Sequence, residues 1–346
     1  MKIGILTFNR ARNYGAMLQA YALQTYIRGI GADAQHIALK GAQEKCVKSV
    51  KGFLRRVIKY RSYCEYQRFL NRLSFYPGEY NEENADQLNE VFDMFISGSD
   101  QVWNVTNGMN PMFYQSFVRN KTKASYAASM GISKLPEEWI FPVLKELETF
   151  EYISVRENTA KTMLDEILTK PVQCVVDPVF LLTQSQWDTL CGSPIEKFPY
   201  IFVYGTQMTS QLKSVVNALA RKKGLKICSV FPMKGAKALD SKIGPAQFVN
   251  YVKNAEYVVT TSFHCTAFAL IYEKPLIEIL HTTTGSRAAD LLEMVEMKES
   301  CVWSENCDID KMCWDYTRAR QLLGMAIEES KEYIKSITVS KAGCSI

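Results

Sequence analysis

The sequence predicts an α/β protein with two Rossmann-like domains facing a cleft. Three observations carry this. The chain has 346 residues, more than one ordinary core and about right for two domains. Short apolar runs alternate with helix-spaced stretches in two successive series. Polar turns follow the apolar runs, where parallel sheets of this type hold their ligands.

The first series opens with KIGILTF (2–8) as a buried strand. NRARNYGA (9–16) is a polar turn, and MLQAYALQTYIRGIG (17–31) has helical spacing with a glycine stop. ADAQHIAL is a second strand. Residues 44–75 are basic with a helical pattern, and VFDMFIS (91–97) is a strand that ends in the turn GSDQVWN (98–104). KASYAASMG (123–131) is a strand entering a turn. A helix and a short strand then end at Arg156, KTMLDEIL is a helix, and VQCVVDPVFLL is a strand entering a turn.

Residues 183–199, with Pro194 and Pro199, read as a linker. The second series is YIFVYG (strand), SQLKSVVNALARKKG (helix), LKICSVFP (strand), GPAQFVNYVKNA (helix) and EYVVTT (strand). After VTTSFHCTAFAL (259–270) comes the strand KPLIEIL, with helices at 286–298 and about 310–337. The expected domains are therefore 1–185, with 310–346 packing back on it, and 195–305.

Composition narrows the function. Net charge is +5, a mild excess that does not call for nucleic acid. Ten cysteines are scattered without a C-x-x-C pair, and no metal-ligand cluster is visible. The opening residues read as a strand rather than a signal peptide, and no apolar run approaches ~18 residues. A cytoplasmic protein with reduced thiols and no cofactor is expected.

The turns carry the chemistry. Asn13 and Gly15 sit just before a helix, where free N–H groups favour an anion; equally, the stretch is a tight strand–helix turn with Asn13 or Tyr14 near the cap. In GSDQVWN, Ser99 and Asp100 suit a nest or cap, while Gln101, Trp103 and Asn104 offer amides and an indole face suited to a sugar. The alternative is a capped turn with Trp103 in the core. Arg156 follows a strand and either grips a phosphate or carboxylate or pairs with Glu157. Asp177 precedes Pro178 and reads as a rigid turn.

His264 follows Thr260, Thr261 and Ser262 where a strand hands over to a helix. An imidazole there can exchange a proton near neutral pH, or bond to backbone as a half-buried side chain. Gly285, Ser286 and Arg287 open another helix. An arginine is not favoured by the dipole at that end, which hints at an anionic ligand or an acidic neighbour. KSVKGFLRRVIKYRSY (48–63) has the pattern of a lipid-surface helix or of one packed on its own domain.

KIGILTFNRARNYGAMLQAYAL, FISGSDQVWN, SYAASMG, ISVREN, VVDPVFLL, GPAQFVNYVKNAEYVVTTSFHCTAFAL and KPLIEI stand in collinear order from residue 2 to about 290. In this they resemble the polysaccharide pyruvyl transferase family. The resemblance implies a glycosyltransferase-B-like fold, with C-terminal helices crossing back to the first domain. It implies transfer of pyruvate from phosphoenolpyruvate to a sugar, as a ketal bridging two hydroxyls. Donor contacts would fall on Arg156 and on the segment of Thr261, Ser262 and His264. Some members have Arg-Leu-His where this chain has Ser262-Phe263-His264, and Arg287 is our candidate for the replaced charge.

On this reading His264 is the general acid/base, and Ser286 and Arg287 join the donor contacts. Asn13, Tyr14, Ser99, Asp100, Gln101, Trp103 and Asn104 face the acceptor. An acceptor on a lipid diphosphate would explain the 48–63 segment through peripheral contact with the inner membrane. The alternative on the same architecture is a nucleotide-sugar glycosyltransferase, with Glu273 and Glu278 as candidates for a ribose. A redox protein and a binding module without catalysis are further rivals.

Overall fold

A computed structural model describes residues 1–40, 60–205, 207–239, 242–281, 285–303, 309 and 311–339. The chain divides into two compact units. Met1–Glu44, Asn71–Leu182 and Gly324–Ile346 form one, and Lys45–Leu70 with Thr183–Leu323 the other.

The first unit is built on parallel strands β1 (Lys2–Leu6), β2 (Asp33–His36), β3 (Met94–Ser97) and β4 (Thr122–Ser125), in the order β2-β1-β3-β4. Parallel β5 (Ile153–Val155) and β6 (Val172–Cys174) stand beside β4 through bridges from Tyr152 to Ala124 and from Val155 to Ala128. Both faces of the sheet are covered, as parallel sheets require. Ile3, Ile5, Met94 and Ile96 enter one core cluster, while the alternating Leu6 and Phe95 enter the other.

Helix α1 (Tyr14–Gly29) follows β1 and is capped by Asn13, whose side chain accepts from the Ala16 N–H at 3.2 Å. Helices α3 (Glu137–Leu147) and α4 (Asn158–Asp165) flank β5, and α2 (Tyr60–Leu70) belongs to the second unit. The expected 48–63 helix lies largely outside the described residues.

The second unit repeats the plan with β7 (Tyr200–Tyr204), β8 (Lys226–Ser229), β9 (Lys237–Ala238), β10 (Tyr257–Thr260) and β11 (Leu276–Glu278), all parallel in the order β11-β10-β7-β8-β9. Its helices are α5 (Gln184–Cys191), α6 (Ser210–Lys223), α7 (Pro245–Lys253), α8 (Phe263–Ile271), α9 (Ser286–Met294) and α10 (Lys298–Cys301). Helix α11 (Thr317–Val339) ends the described chain. Its later part serves the first unit: Tyr333, Ile334 and Ile337 pack with Ile3 and Ile5, and the Tyr333 hydroxyl donates to the Ser125 carbonyl at 2.9 Å.

Three expectations change. The 183–199 segment is not a simple linker, because α5 occupies its first half. Thr183 and Gln186 form a reciprocal capping box there, and Trp187 is fully buried with its ring 4.9 Å from Phe268. Residues 60–70 join the second unit because Ser62 donates to the Ile243 carbonyl at 2.8 Å and Gln247 donates to Glu65 at 2.7 Å. The second unit also extends to Leu323, with Arg320 gripping Glu273 through two bonds of 2.8 Å.

His36 on β2 is fully buried, with Nε2 3.2 Å from the Ala20 carbonyl. Burial pushes its pKa down to about 4. The unfolded chain takes up the proton near pH ~6.5, so native stability falls as pH drops from there and levels off below about 4. Urea unfolding at pH 7 and pH 4.5 should show the wild type losing about 2–3 kcal/mol more than His36→Gln. Equal losses would refute the assignment.

Candidate functional site at the strand ends

Each sheet reverses its winding once, and the carboxyl ends of the strands at that point form the natural ligand crevice. In the first unit the reversal falls between β1 and β3. The Thr7 hydroxyl, just past β1, donates to the Ser99 carbonyl at 2.8 Å and accepts from Gln19 at 2.8 Å. This draws the 98–104 turn against the start of α1.

That turn is strained. Asp100 is left-handed at φ 71°, and Ala127, just past β4, at φ 52°. The Asp100 carboxylate accepts from the Gln101 N–H at 2.9 Å, and its carbonyl accepts from the Ser129 N–H at 3.0 Å. Asn104 donates to the Gln101 side chain at 2.6 Å. A Cβ on Gly131 would lie 2.6 Å from Gln101 Oε1 and 3.0 Å from Asn104 Nδ2, so a side chain there would push both amide ends aside from a left-handed backbone. Asn13 is exposed, Asp100, Gln101 and Asn104 are half-buried, and Tyr14 and Ser99 are buried.

Trp103 does not face a ligand. It is fully buried, stacked on Tyr114 at 5.9 Å, with its indole N–H donating to the Phe113 carbonyl at 3.3 Å. The large apolar ring fills the first unit's core, so the core alternative holds.

Arg156 also departs from expectation. Its Nη1 donates to Asp177 at 2.7 Å and to Ser99 at 3.3 Å, and its Nε donates to Glu157 at 3.0 Å. Ser99 in turn donates to the same Asp177 oxygen at 2.9 Å. All three charged side chains are buried. Burial alone would lower the Arg156 pKa, but Glu157, Asp177 and Asp100 outweigh it and hold the cation charged. Asp177 is more than a rigid turn residue, since its other oxygen caps the turn Pro178–Leu181.

In the second unit the reversal lies between β7 and β10. The Thr260 hydroxyl donates to the Tyr204 carbonyl at 2.6 Å and accepts from the Ser262 N–H at 3.0 Å. The Gln207 N–H donates to the Thr261 hydroxyl at 3.3 Å. Ser262 is the N-cap residue of α8, and His264 lies in the first turn of that helix, its ring 5.2 Å from Phe263. The first-turn N–H groups and the helix dipole favour an anion here.

Ser286 and Arg287 open α9, after the neighbouring strand β11. Both are half-buried. His281 also lies on this loop and was not singled out from the sequence, although it shares one polar run with Arg287. Burial, and next the Arg287 cation, lower its pKa. Among the described residues no group of three His, Cys, Asp or Glu side chains could hold a metal ion, and no helix could cross a membrane.

Residues 13–280 match the family model described as polysaccharide pyruvyl transferase. No curated protein matches the sequence. Among solved structures, UDP-GlcNAc 2-epimerase from Methanocaldococcus jannaschii, in complex with UDP-GlcNAc and UDP, is similar at 13% identity and a TM-score of 0.52, covering 98% of this chain and 100% of that one. An O-GlcNAc transferase mutant from Thermobaculum terrenum matches at 12% identity and a TM-score of 0.48; 99% of this chain is covered, and it spans 65% of that protein's length. A glycosyltransferase from Streptomyces sp. SF2575, complexed with thymidine diphosphate, matches at 14% identity and a TM-score of 0.49, covering 97% and 99%. The fold is that of the glycosyltransferase-B class, with two Rossmann-like units.

Two stability measurements check the first-unit geometry. Arg156→Ala leaves two buried carboxylates without their cation and should cost about 3–5 kcal/mol in urea unfolding; a loss under about 1 kcal/mol would contradict the buried cluster. Gly131→Ala forces a side chain at φ 65° against Gln101 and should cost about 1–3 kcal/mol, whereas an unchanged midpoint would contradict the close approach.

Proposed function

The chain belongs to the polysaccharide pyruvyl transferase family, and on that premise we propose that it moves pyruvate from phosphoenolpyruvate onto two hydroxyls of a sugar, with the second unit holding the donor. The observation that carries this is His264 in the first turn of α8, at the sheet's point of reversal, among the hydroxyls of Thr261 and Ser262.

Phosphoenolpyruvate carries roughly three negative charges near neutral pH, so its site needs cations and aligned N–H groups. The start of α8 supplies N–H groups, and Arg287 with Ser286 supplies a cation and a hydroxyl. His264 delivers a proton to the methylene carbon, which becomes a methyl and leaves an oxocarbenium-like centre. One sugar hydroxyl attacks the oxocarbenium carbon, which bears the phosphate oxygen, and loses its proton. Phosphate departs with its bonding electron pair, and the second hydroxyl closes the ketal. The sum is phosphoenolpyruvate plus a diol giving a ketal plus phosphate.

Asn13, Tyr14, Asp100, Gln101 and Asn104 are assigned to the acceptor, and Ser99 to support of the turn that carries them. Arg156 is assigned to holding that turn rather than to gripping the donor. A lipid-diphosphate acceptor at the cytoplasmic face of a membrane completes the proposal, supported by exposed Tyr60 and Tyr63 at the end of the basic stretch. The nucleotide-sugar reading has Glu273 and Glu278 as its acidic candidates for a ribose. Glu273 is gripped by Arg320, and Glu278 is fully buried.

With phosphoenolpyruvate and a panel of sugar acceptors, His264→Ala should lower phosphate release by about 10²–10⁴-fold. Arg287→Ala should raise the KM for phosphoenolpyruvate at least about tenfold, the loss of roughly one charged hydrogen bond. A drop below tenfold in the histidine variant overturns its role. Thermal stabilisation by uridine or guanosine diphosphate, with none by phosphoenolpyruvate, overturns the donor.

A further inference from the structure

Glu278 ends β11 and is fully buried. Its Oε2 lies 2.5 Å from the Thr266 hydroxyl, and its Oε1 has no hydrogen-bond partner among the described residues. No lysine, arginine or histidine pairs with it there. The titratable groups facing it are the thiols of Cys265 on α8 and Cys301 on α10, and both act on it only as neutral neighbours because burial raises their pKa. The backbone of residues 302–303 closes the far side, with the Trp303 N–H donating to the Glu278 carbonyl at 2.8 Å. An ionised carboxylate without a cation in such a place is costly, so the acid form is favoured.

Thr266 has one hydroxyl hydrogen and two oxygen neighbours, Glu278 Oε2 at 2.5 Å and the Ser262 carbonyl at 3.2 Å. Both contacts are satisfied together only if the carboxylic acid donates to the threonine and the threonine donates to Ser262. That chain runs from β11 through the second turn of α8 to its cap, the residue two places before His264.

We propose that Glu278 is a positioning residue: as a neutral carboxylic acid it donates to Thr266, and so fixes the turn that carries Ser262 and His264. The inference rests on the reading that this turn binds the donor, and it deepens that reading by naming what holds the turn in place. It makes the turn sensitive to alkali. Burial raises the Glu278 pKa to about 8. The unfolded chain loses this proton near pH ~4.3, so native stability is fully present below that value and falls as pH rises towards about 8.

The test compares the full-length wild type with Glu278→Gln, Glu278→Leu and Thr266→Val. Glutamine keeps a donor in place of the acid; leucine and valine keep volume without the bonds. Melting temperature is read from pH 5 to pH 9. The wild type should fall behind Glu278→Gln by at least about 3 °C over that range, on the scale of a change near 1 kcal/mol. Hydrogen exchange of the first-turn amides of α8 should quicken at least tenfold at pH 7 in the leucine and valine variants and not in the glutamine variant. Phosphoenolpyruvate affinity should fall about tenfold above pH 8 in the wild type and hold in Glu278→Gln.

A pH-independent gap between wild type and Glu278→Gln, or unchanged exchange in both Glu278→Leu and Thr266→Val, overturns the proposal. If the wild type binds no phosphoenolpyruvate at any pH, the donor reading fails instead. The melting and exchange results still decide the role of Glu278.

Discussion

The Thr260 hydroxyl donates to the Tyr204 carbonyl and accepts from the Ser262 N–H, so a single oxygen ties the ends of β7 and β10 to the start of α8. Where parallel strands are buried on both faces, their side chains have little room to be polar until the strand stops. The polar groups therefore collect at the carboxyl ends, and something must fix the chain as it turns into the helix. Thr260 does this from the strand and Thr266 from the helix, with Glu278 behind it. These bonds hold the backbone of the turn that carries His264, and the Phe263 ring lies 5.2 Å from the imidazole.

The first unit solves the same problem with charge. Arg156, Asp177 and Glu157 are buried together, and Ser99 joins the ion pair to the 98–104 turn. One guanidinium among these carboxylates leaves no positive excess for an anion. At the strand ends of the second unit the start of α8 presents its first-turn N–H groups, and Arg287 lies in the first turn of α9. This contrast is the reason for proposing the donor site in the second unit and the sugar of the acceptor in the first. The left-handed backbone at Asp100 and the glycine at 131 are consistent with a turn whose shape is held for binding rather than for stability.

Unbroken apolar runs made the central strands legible, as in KIGIL and YIFVY, because both their faces are buried, whereas β9 (Lys237–Ala238) is exposed and no apolar run marks it. The caps were legible where the capping residue is local, as at Asn13. Helix α5 was hidden because Pro194 and Pro199 suggest a break, although they fall after the helix ends and Thr183 with Gln186 marks its start. His264 and Arg287 stood out as polar side chains at strand ends. Trp103 and Arg156 did not resolve, since a ring suits either a sugar or a core and a cation suits either a phosphate or an ion pair. The deciding partners, Phe113 and Asp177, are 10 and 21 residues away along the chain. Glu278 is a candidate for a ribose only on the rival reading, and sequence shows the charge of a side chain and not its burial.

The chain has three histidines, which makes the central claim open to a direct reading. In protein labelled with ¹⁵N at histidine, phosphoenolpyruvate is titrated in and the imidazole nitrogens are followed. The His264 signal, assigned by His264→Gln, should move saturably while the buried His36 signal stays fixed. A His264 signal that stays fixed at saturating phosphoenolpyruvate would contradict the claim.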